Sequence, residues 1–114
     1  MGLIYHVAFA VDWDHARHVG EYRVSTRGRS LEEVGFIHCS QPGQVESVAN
    51  VVYRGAEDLV LLTIDPERVR SEIRHDRADG GTDIFPHIYG PLNIDAVVEA
   101  SPFQPGPDGR FSFP

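Results

Sequence analysis

The chain has 114 residues, a length that fits one domain with a hydrophobic core of its own. A formal net charge of −7 argues against a general nucleic-acid-binding surface. Every basic residue is an arginine, which excludes lysine Schiff-base chemistry. Cys39 is the single cysteine, so neither an intrachain disulfide nor a thiolate zinc site can form.

No apolar run approaches the roughly 20 residues that a membrane-spanning helix needs. The N-terminus enters a strand-like run without a basic segment or a cleavable apolar stretch. We therefore expect a cytoplasmic protein that does not bind membranes. The sequence leaves its oligomeric state open.

The first half of the chain predicts short, alternating elements. We expect a strand over 3–7 ending near His6, and a helix opened by Asp12 and stopped by Gly20, with His15 and His18 on its solvent side. Residues 22–24 predict a minor strand and 25–29 a polar turn. A capping-box pattern predicts a helical turn over 31–34, and 36–39 a brief buried strand.

The second half contains the clearest helix and strand. Apolar residues at helical spacing predict a helix over 44–53, and the unbroken apolar run 59–64 predicts a central strand. Loop 77–83 is expected to be the most mobile internal piece. We expect 85–92 to be irregular and not a central strand, because it contains Pro86 and Pro91. A last strand is expected at Val97 and Val98, and a Pro/Gly-rich tail over 101–114 is expected to be extended or disordered unless Phe111 and Phe113 attach it.

Three histidines stand at strand-associated positions, in Leu3-Ile4-Tyr5-His6, Gly35-Phe36-Ile37-His38-Cys39-Ser40 and Phe85-Pro86-His87-Ile88-Tyr89-Gly90. A histidine at a strand end is a common place for site chemistry, although a core histidine bonded to backbone is the simpler interpretation of any one of them. Nothing in their spacing requires a three-histidine metal site, so we expect no metal. Cys39 should be a core residue, because His38 beside it points to the opposite face of the strand.

These blocks, together with Trp13 and Asp58-Leu59-Val60-Leu61-Leu62, resemble the signature blocks of the DUF952 family in order and spacing over roughly residues 3 to 99. The resemblance implies a single α+β domain over 1–100 with a split, mostly antiparallel sheet flanked by short helices, as in ADP-ribosyltransferases. Within that fold the family is similar to the branch of the RNA 2′-phosphotransferases, where two histidines and a hydrophobic residue form the motif.

The resemblance also implies a site. His6 and His38 match the two catalytic histidines, and the hydrophobic position falls near Ile88 or Tyr89. The expected cofactor is NAD, and the expected cofactor-binding residues are Tyr5, His6, His38, Ser40, His87 and Tyr89. Asp76 stands where family members often carry a glutamate, while Arg23, Arg29 and Arg54 are candidate phosphate ligands.

Three functions stay open as hypotheses, the first of which follows from this resemblance. The first is an NAD-utilising transferase or hydrolase in which His6 and His38 hold the ribose, Tyr5 or Tyr89 stacks on the ring, and the helix N-terminus at Gln44 takes the pyrophosphate. The second is a non-catalytic module that binds a nucleotide or another small metabolite in the same cleft. The third is a partner-binding subunit whose histidines are buried apart and bonded to backbone.

Overall fold

The computed structural model describes residues 2–78 and 81–114. The described chain folds into ten strands, three α-helices and three short 3-10 turns. The strands are β1 (Ile4–Phe9), β2 (Glu21–Tyr22), β3 (Val24–Thr26), β4 (Arg29–Ser30), β5 (Ile37–His38), β6 (Leu59–Ile64), β7 (Glu72–Arg77), β8 (Ile84–Tyr89), β9 (Leu92–Asn93) and β10 (Val97–Phe103). The helices are α1 (Ala10–Val19), α2 (Leu31–Val34) and α3 (Val45–Val52), and the 3-10 turns are Pro42–Gln44, Pro66–Arg68 and Ile94–Ala96.

All the described strand pairs are antiparallel, which confirms a small α+β domain with few helices. One three-stranded sheet has the order β1-β6-β10 and a second has the order β5-β8-β7. Two backbone hydrogen bonds between Tyr5 and Ser40 join these sheets just beyond the end of β5. The apolar run 59–64 forms β6, the middle strand of the first sheet, so that prediction is confirmed.

The prediction that 85–92 is not a central strand is wrong, because β8 is the middle strand of the second sheet. The carbonyl of Pro86 accepts a hydrogen bond from the backbone N–H of Cys39, at the point where β5 ends. Both backbone polar groups of a strand residue point to the same side. The missing N–H of Pro86 therefore faces the end of the short strand β5, and the pairing with β7 loses no hydrogen bond.

Several boundaries differ from the sequence predictions. β1 continues to Phe9, so His6 lies within the strand and not at its end. Helix α1 begins at Ala10, directly after Phe9, and no side chain caps its N-terminus. Asp12 therefore lies in the first turn of the helix and does not open it. The predicted strand 22–24 is divided between β2 and β3, and β3 takes in Ser25 from the predicted turn.

Local signals near helix ends were more dependable. Ser30 and Glu33 form the predicted capping box at α2, with both reciprocal hydrogen bonds present. Gly20 ends α1 in the left-handed conformation that glycine adopts without steric cost. The predicted helix 44–53 is observed as α3, one residue shorter at each end.

The tail predicted from 101 begins with three residues of β10 and then returns to the body of the domain. Phe111 is buried and stacks on Phe103, with ring centroids 5.1 Å apart. The side chain of Asn50 on α3 accepts a hydrogen bond from the backbone N–H of Phe111 and donates one to its carbonyl. Phe113 packs edge-on against Tyr5. The two phenylalanines thus attach the segment to the body of the domain, and it is not an extended or disordered tail.

Arg77, at the start of the loop expected to be mobile, is the last residue of β7, and positions 79 and 80 of that loop lie outside the described residues. Across the described ranges, no helix combines the length and the apolar character needed to cross a membrane.

Candidate functional site

The second sheet separates its apolar and polar side chains by strand alternation. His38 on β5 lies opposite His87 on β8, and His87 lies opposite Arg74 on β7. The next residues along, Ile37 and Ile88, are a cross-strand pair that is fully buried in the main core. Because successive strand residues point to opposite faces, one face of this sheet is core and the other carries the imidazoles.

A cleft of about 350 Å³ opens over the imidazole face. Its apolar wall includes Phe36 and the α3 residues Val48 and Val52. Its polar lining consists of His6, Thr26, His38, Ser40, Tyr53, Arg77 and His87. The volume lies near the lower end of the range for small-molecule sites, which are mostly apolar with a few placed polar groups.

His6 is buried in β1 and uses both ring nitrogens within the protein. Nδ1 lies 2.5 Å from the carbonyl oxygen of His38, and Nε2 lies 2.9 Å from the hydroxyl oxygen of Tyr22. A carbonyl can only accept, so Nδ1 carries the proton and Nε2 accepts from the Tyr22 hydroxyl. Burial, the largest effect, lowers the pKa of His6 to about 4, so the ring is neutral near pH 7. The bond from Nδ1 attaches the His6 ring to the backbone of His38.

His38 has a proton position set by Ser25, which is completely buried on β3. The Ser25 hydroxyl donates to the carbonyl of Phe36 at 2.5 Å, and its oxygen lies 3.0 Å from Nδ1 of His38. A hydroxyl has one proton, so Nδ1 of His38 must be the donor in the second bond. Desolvation and then the proximity of His87 lower the pKa of His38, partly offset by the bond at Ser25. The neutral ring therefore presents an unprotonated Nε2 to the cleft.

His87 is buried against the sheet and is held by a carboxylate. Its Nδ1 donates to Oδ2 of Asp76 at 2.9 Å, and the hydroxyl of Tyr89 donates to the same oxygen. The bond from Tyr89, and then that from His87, lower the pKa of Asp76, which keeps the carboxyl ionised. Nε2 of His87 has no partner among the described residues, and no buried side-chain nitrogen there is unpaired. Nε2 thus faces the open cleft.

Aromatic contacts hold these rings in place. Phe36 stacks on His87 with centroids 4.0 Å apart and an interplanar angle of 18°, and it also contacts His38 at 4.8 Å. The His38 and His87 centroids are 5.3 Å apart, edge to face. The guanidinium of Arg74 lies 4.4 Å from the centroid of the Tyr89 ring, a cation–π geometry.

The structure brings four of the six predicted binding residues to the cleft: His6, His38, Ser40 and His87. Tyr5 is not among the lining residues and packs on Phe113, because its neighbour His6 takes the opposite face of β1. Tyr89 is not among the described lining residues either, and its hydroxyl donates to Asp76. The catalytic and binding roles assigned to these six residues stay predictions.

The predicted phosphate ligands lie elsewhere. Arg23 is ion-paired with Glu21 and Glu32 at the surface, and Arg29 lies 3.9 Å from Glu33. Arg54 borders a separate surface groove. Among the described residues, the cation that lines the cleft is Arg77, which ends β7 and does not belong to the predicted loop 77–83.

The first residues of α3 are not among the described lining residues, which include Val48 and Val52 from later in the helix. A 3-10 turn over Pro42–Gln44 precedes α3, and the capping box of Gln41 and Gln44 belongs to that turn, while α3 itself has no side-chain cap. The pyrophosphate role expected for this helix end stays a prediction.

Two residues of the site escaped sequence reasoning. Ser25 lies thirteen positions before His38, in a segment read as a polar turn, and no local pattern relates the two. Phe36 is predicted only as part of a buried strand. It lies two positions before His38, however, and alternate residues of a strand share a face, so it belongs on the same face as His38. Cys39 is buried as expected, and burial raises the pKa of its thiol.

No cluster of three or more histidine, cysteine or acidic side chains suited to a metal ion occurs in the part of the chain that the structure describes. The bonds of His6 explain why the three histidines do not form one. Its two ring nitrogens are already satisfied by His38 and Tyr22, so no lone pair of His6 is free for a metal.

The fold and the site thus define a small α+β domain with a histidine-lined cleft between antiparallel sheets. Residues 8–100 match the DUF952 family, described as a protein of unknown function, and the chain belongs to that family. The crystal structure of CC0527 from Caulobacter crescentus is 30% identical, with a TM-score of 0.84 over 96% of this chain and 93% of that one. The solution NMR structure of CC0527 is 31% identical, with a TM-score of 0.80 over 96% and 91%. None of the curated proteins matches the chain.

Proposed function

We propose that the cleft binds a nucleotide through a ribose, with NAD as the leading ligand, and that the protein is an NAD-utilising transferase or hydrolase. One observation carries this proposal. His38 and His87 are neighbouring imidazoles that each donate from Nδ1 to the protein and leave Nε2 free as an acceptor.

Two adjacent acceptors match the two adjacent hydroxyl donors of a ribose. Because Ser25 and Asp76 hold the Nδ1 protons, neither ring has to change tautomer when a diol arrives. Preorganised acceptors of this kind cost little reorganisation on binding. The apolar wall of Phe36, Val48 and Val52 would cover the ring faces of the ligand.

The NAD hypothesis rests on the likeness of the sequence motifs to ADP-ribosyltransferases, and two structural features agree with it. The sheet is divided into two three-stranded parts that meet at Tyr5 and Ser40. Arg77 supplies a cation in the lining for a phosphate. In this proposal His38 touches the ribose, and His6 acts by holding the carbonyl of His38.

A non-catalytic binding module is the second candidate, favoured by a different observation. No aspartate or glutamate is among the described residues that line the cleft, and Asp76 behind it is already bonded to His87 and Tyr89. A site without a free carboxylate stabilises the oxocarbenium-like ribose of nicotinamide departure less well. Such a site can still bind the nucleotide.

Calorimetric titration of NAD into wild type, His38→Ala and His75→Ala tests the proposal, with nicotinamide release followed on the same samples. His75 is an exposed residue of β7 one position from Asp76, so its variant is the matched control. We expect at least tenfold weaker binding in His38→Ala and unchanged binding in His75→Ala.

An NAD analogue lacking the 2′-hydroxyl on the nicotinamide-side ribose should also bind wild type about tenfold more weakly. It loses one hydrogen bond to an imidazole nitrogen, and a bond worth about 1.4 kcal/mol corresponds to a tenfold change in Kd. Release of nicotinamide supports the enzyme, and binding without release supports the module. If wild type does not bind NAD, or if both histidine variants bind equally well, the proposal is wrong.

A further inference from the structure

We infer that His87, held by Asp76, is the proton acceptor of the site, and that His38 serves as a neutral binding partner for the substrate. This inference rests on the proposed function of the cleft, and it adds an acid–base role for His87, which the sequence resemblance implies only as a binding residue. The reaction class is transfer of an ADP-ribosyl group to water or to an acceptor hydroxyl.

The first argument is the difference between the partners of the two rings. Nδ1 of His38 donates to a neutral hydroxyl, whereas Nδ1 of His87 donates to the carboxylate of Asp76. A proton added at Nε2 of His87 creates an imidazolium beside a negative charge, which stabilises it. An imidazolium at His38 has no such partner.

The second argument is that the two rings cannot both be charged at little cost. Their centroids are 5.3 Å apart, so a proton on one ring disfavours a proton on the other. The carboxylate of Asp76 stabilises the proton on His87, so His87 is the ring that takes the proton. His38 then stays neutral and keeps its acceptor toward the substrate.

The third argument is rigidity. His87 is only 6% exposed, stacks on Phe36 and is bonded through Nδ1, so its ring has one orientation. Asp76 is fixed in turn by the hydroxyl of Tyr89. A base whose ring is oriented by a third group matches the arrangement of known acid–base pairs, and Asp76 is the positioning residue.

The charged and titratable groups around His87 come from all three strands of the sheet. β5 contributes His38, β8 contributes Tyr89, and β7 contributes Asp76 and Arg74. Arg74 opposes a positive charge on His87, but its guanidinium is paired with Glu72 at 3.0 Å and lies over Tyr89. Asp76 is the group in direct contact with the ring, so the net effect of these charges is to stabilise a positive charge on His87.

The step balances with water as the acceptor. The bond from ribose C1′ to the nicotinamide nitrogen breaks, and its electron pair stays on nicotinamide. The oxygen of water forms the new bond to C1′ and gives one proton to the ribose hydroxyl that is bonded to Nε2 of His87. That hydroxyl passes its own proton to Nε2 of His87. Solvent removes the proton afterwards, which returns the ring to the neutral tautomer.

The test compares nicotinamide release by wild type, Asp76→Asn and Asp14→Asn across pH. We expect a loss in kcat of about 10²-fold or more in Asp76→Asn, the usual contribution of a general base, with the Kd for NAD within threefold of wild type. An asparagine oxygen can still accept from Nδ1 of His87 and from Tyr89, but it carries no charge to stabilise an imidazolium. Asp14→Asn makes the same change at an exposed carboxylate of α1 that pairs with Arg17 and is not among the lining residues, so it should keep the wild-type rate.

Nitrogen NMR of the histidine rings gives a second readout that needs no NAD. We expect the Nδ1–H tautomer for His87 in wild type, because Nδ1 donates to the carboxylate of Asp76. An Nε2–H tautomer in wild type would overturn the inference.

The two proposals fail in different ways. If wild type binds NAD and releases nicotinamide while Asp76→Asn is equally fast, the role of His87 is wrong and the function stands. If wild type binds NAD without releasing nicotinamide, the catalytic role is overturned and the binding site stands. If NAD does not bind, the function is wrong, and the role of His87 in it falls with it, whatever tautomer the ring has.

Discussion

His6 should make the stability of this protein fall as the pH is lowered toward 5. Its pKa is about 4 in the folded protein and 6.5 in the ordinary, solvated state. The unfolded chain therefore binds a proton in a pH range where the folded chain does not, and stability is lost as pH falls through 6.5 toward 4. At about 1.4 kcal/mol per pKa unit, the loss between pH 7 and pH 5 is about 2 kcal/mol from this one residue.

Urea denaturation of wild type and His6→Gln at pH 7, 6 and 5 measures this loss. A glutamine amide can donate to the carbonyl of His38 and accept from Tyr22, so the variant keeps both bonds without a titrating group. Over this range His6→Gln should lose about 2 kcal/mol less of its free energy of unfolding than wild type.

The control is His75→Gln, which removes an exposed histidine from β7 and should follow the wild-type pH dependence. The pH window ends above the ordinary pKa values of carboxyl groups, and all three proteins carry the same carboxyl groups, so their contribution cancels in the comparison. If the unfolding free energies of wild type and His6→Gln decline in parallel from pH 7 to pH 5, the argument for a buried neutral His6 is refuted.

Two further predictions concern stability alone and are measured by urea denaturation. Phe111→Ala should cost about 3–5 kcal/mol, because the ring is 1% exposed and stacks on Phe103, and an unchanged midpoint would show that the tail is not attached. Gly90→Ala should cost about 2 kcal/mol or more, because φ is +149° and the new Cβ would lie 2.5 Å from Oγ of Ser71. The control Gly43→Ala meets nothing within 4 Å and should change stability by less than about 0.5 kcal/mol, and equal losses in both variants would contradict the steric argument.

Local patterns predicted the elements whose cause is local. The capping box at Ser30 and the left-handed stop at Gly20 depend on residues within one helical turn, and both were found where expected. The run that forms β6 depends only on its own apolar character. Such features need no knowledge of the partner strand.

The sequence predictions failed where a strand or side chain distant in the sequence determines the local structure. Pro86 is compatible with a central strand only because its missing N–H meets the end of β5, and that depends on a strand about fifty residues earlier in the sequence. Ser25 reaches His38 because β3 lies close to β5, which no spacing in the sequence shows. Long-range contacts of this kind have no periodic signal.

Tyr5 is a different case, because the sequence contained the signal. Alternation along a strand was used to separate His38 from Cys39, and the same rule separates Tyr5 from His6. Applied to β1, it places one of that pair away from the cleft, as the contact of Tyr5 with Phe113 shows.

The bonds of His6 also decide how a loss of activity in its variants should be interpreted. His6→Ala removes the donor to the carbonyl of His38 and leaves the buried hydroxyl of Tyr22 unpaired, so it disturbs the site whether or not His6 touches substrate. His6→Gln keeps both bonds but cannot carry a proton in the reaction. If His6 acts through position, His6→Gln should retain most of the NAD binding and turnover that His6→Ala loses. If both variants are equally inactive at a pH where His6→Gln is folded by circular dichroism, His6 takes part directly, as the likeness of the sequence motifs to the transferases implies.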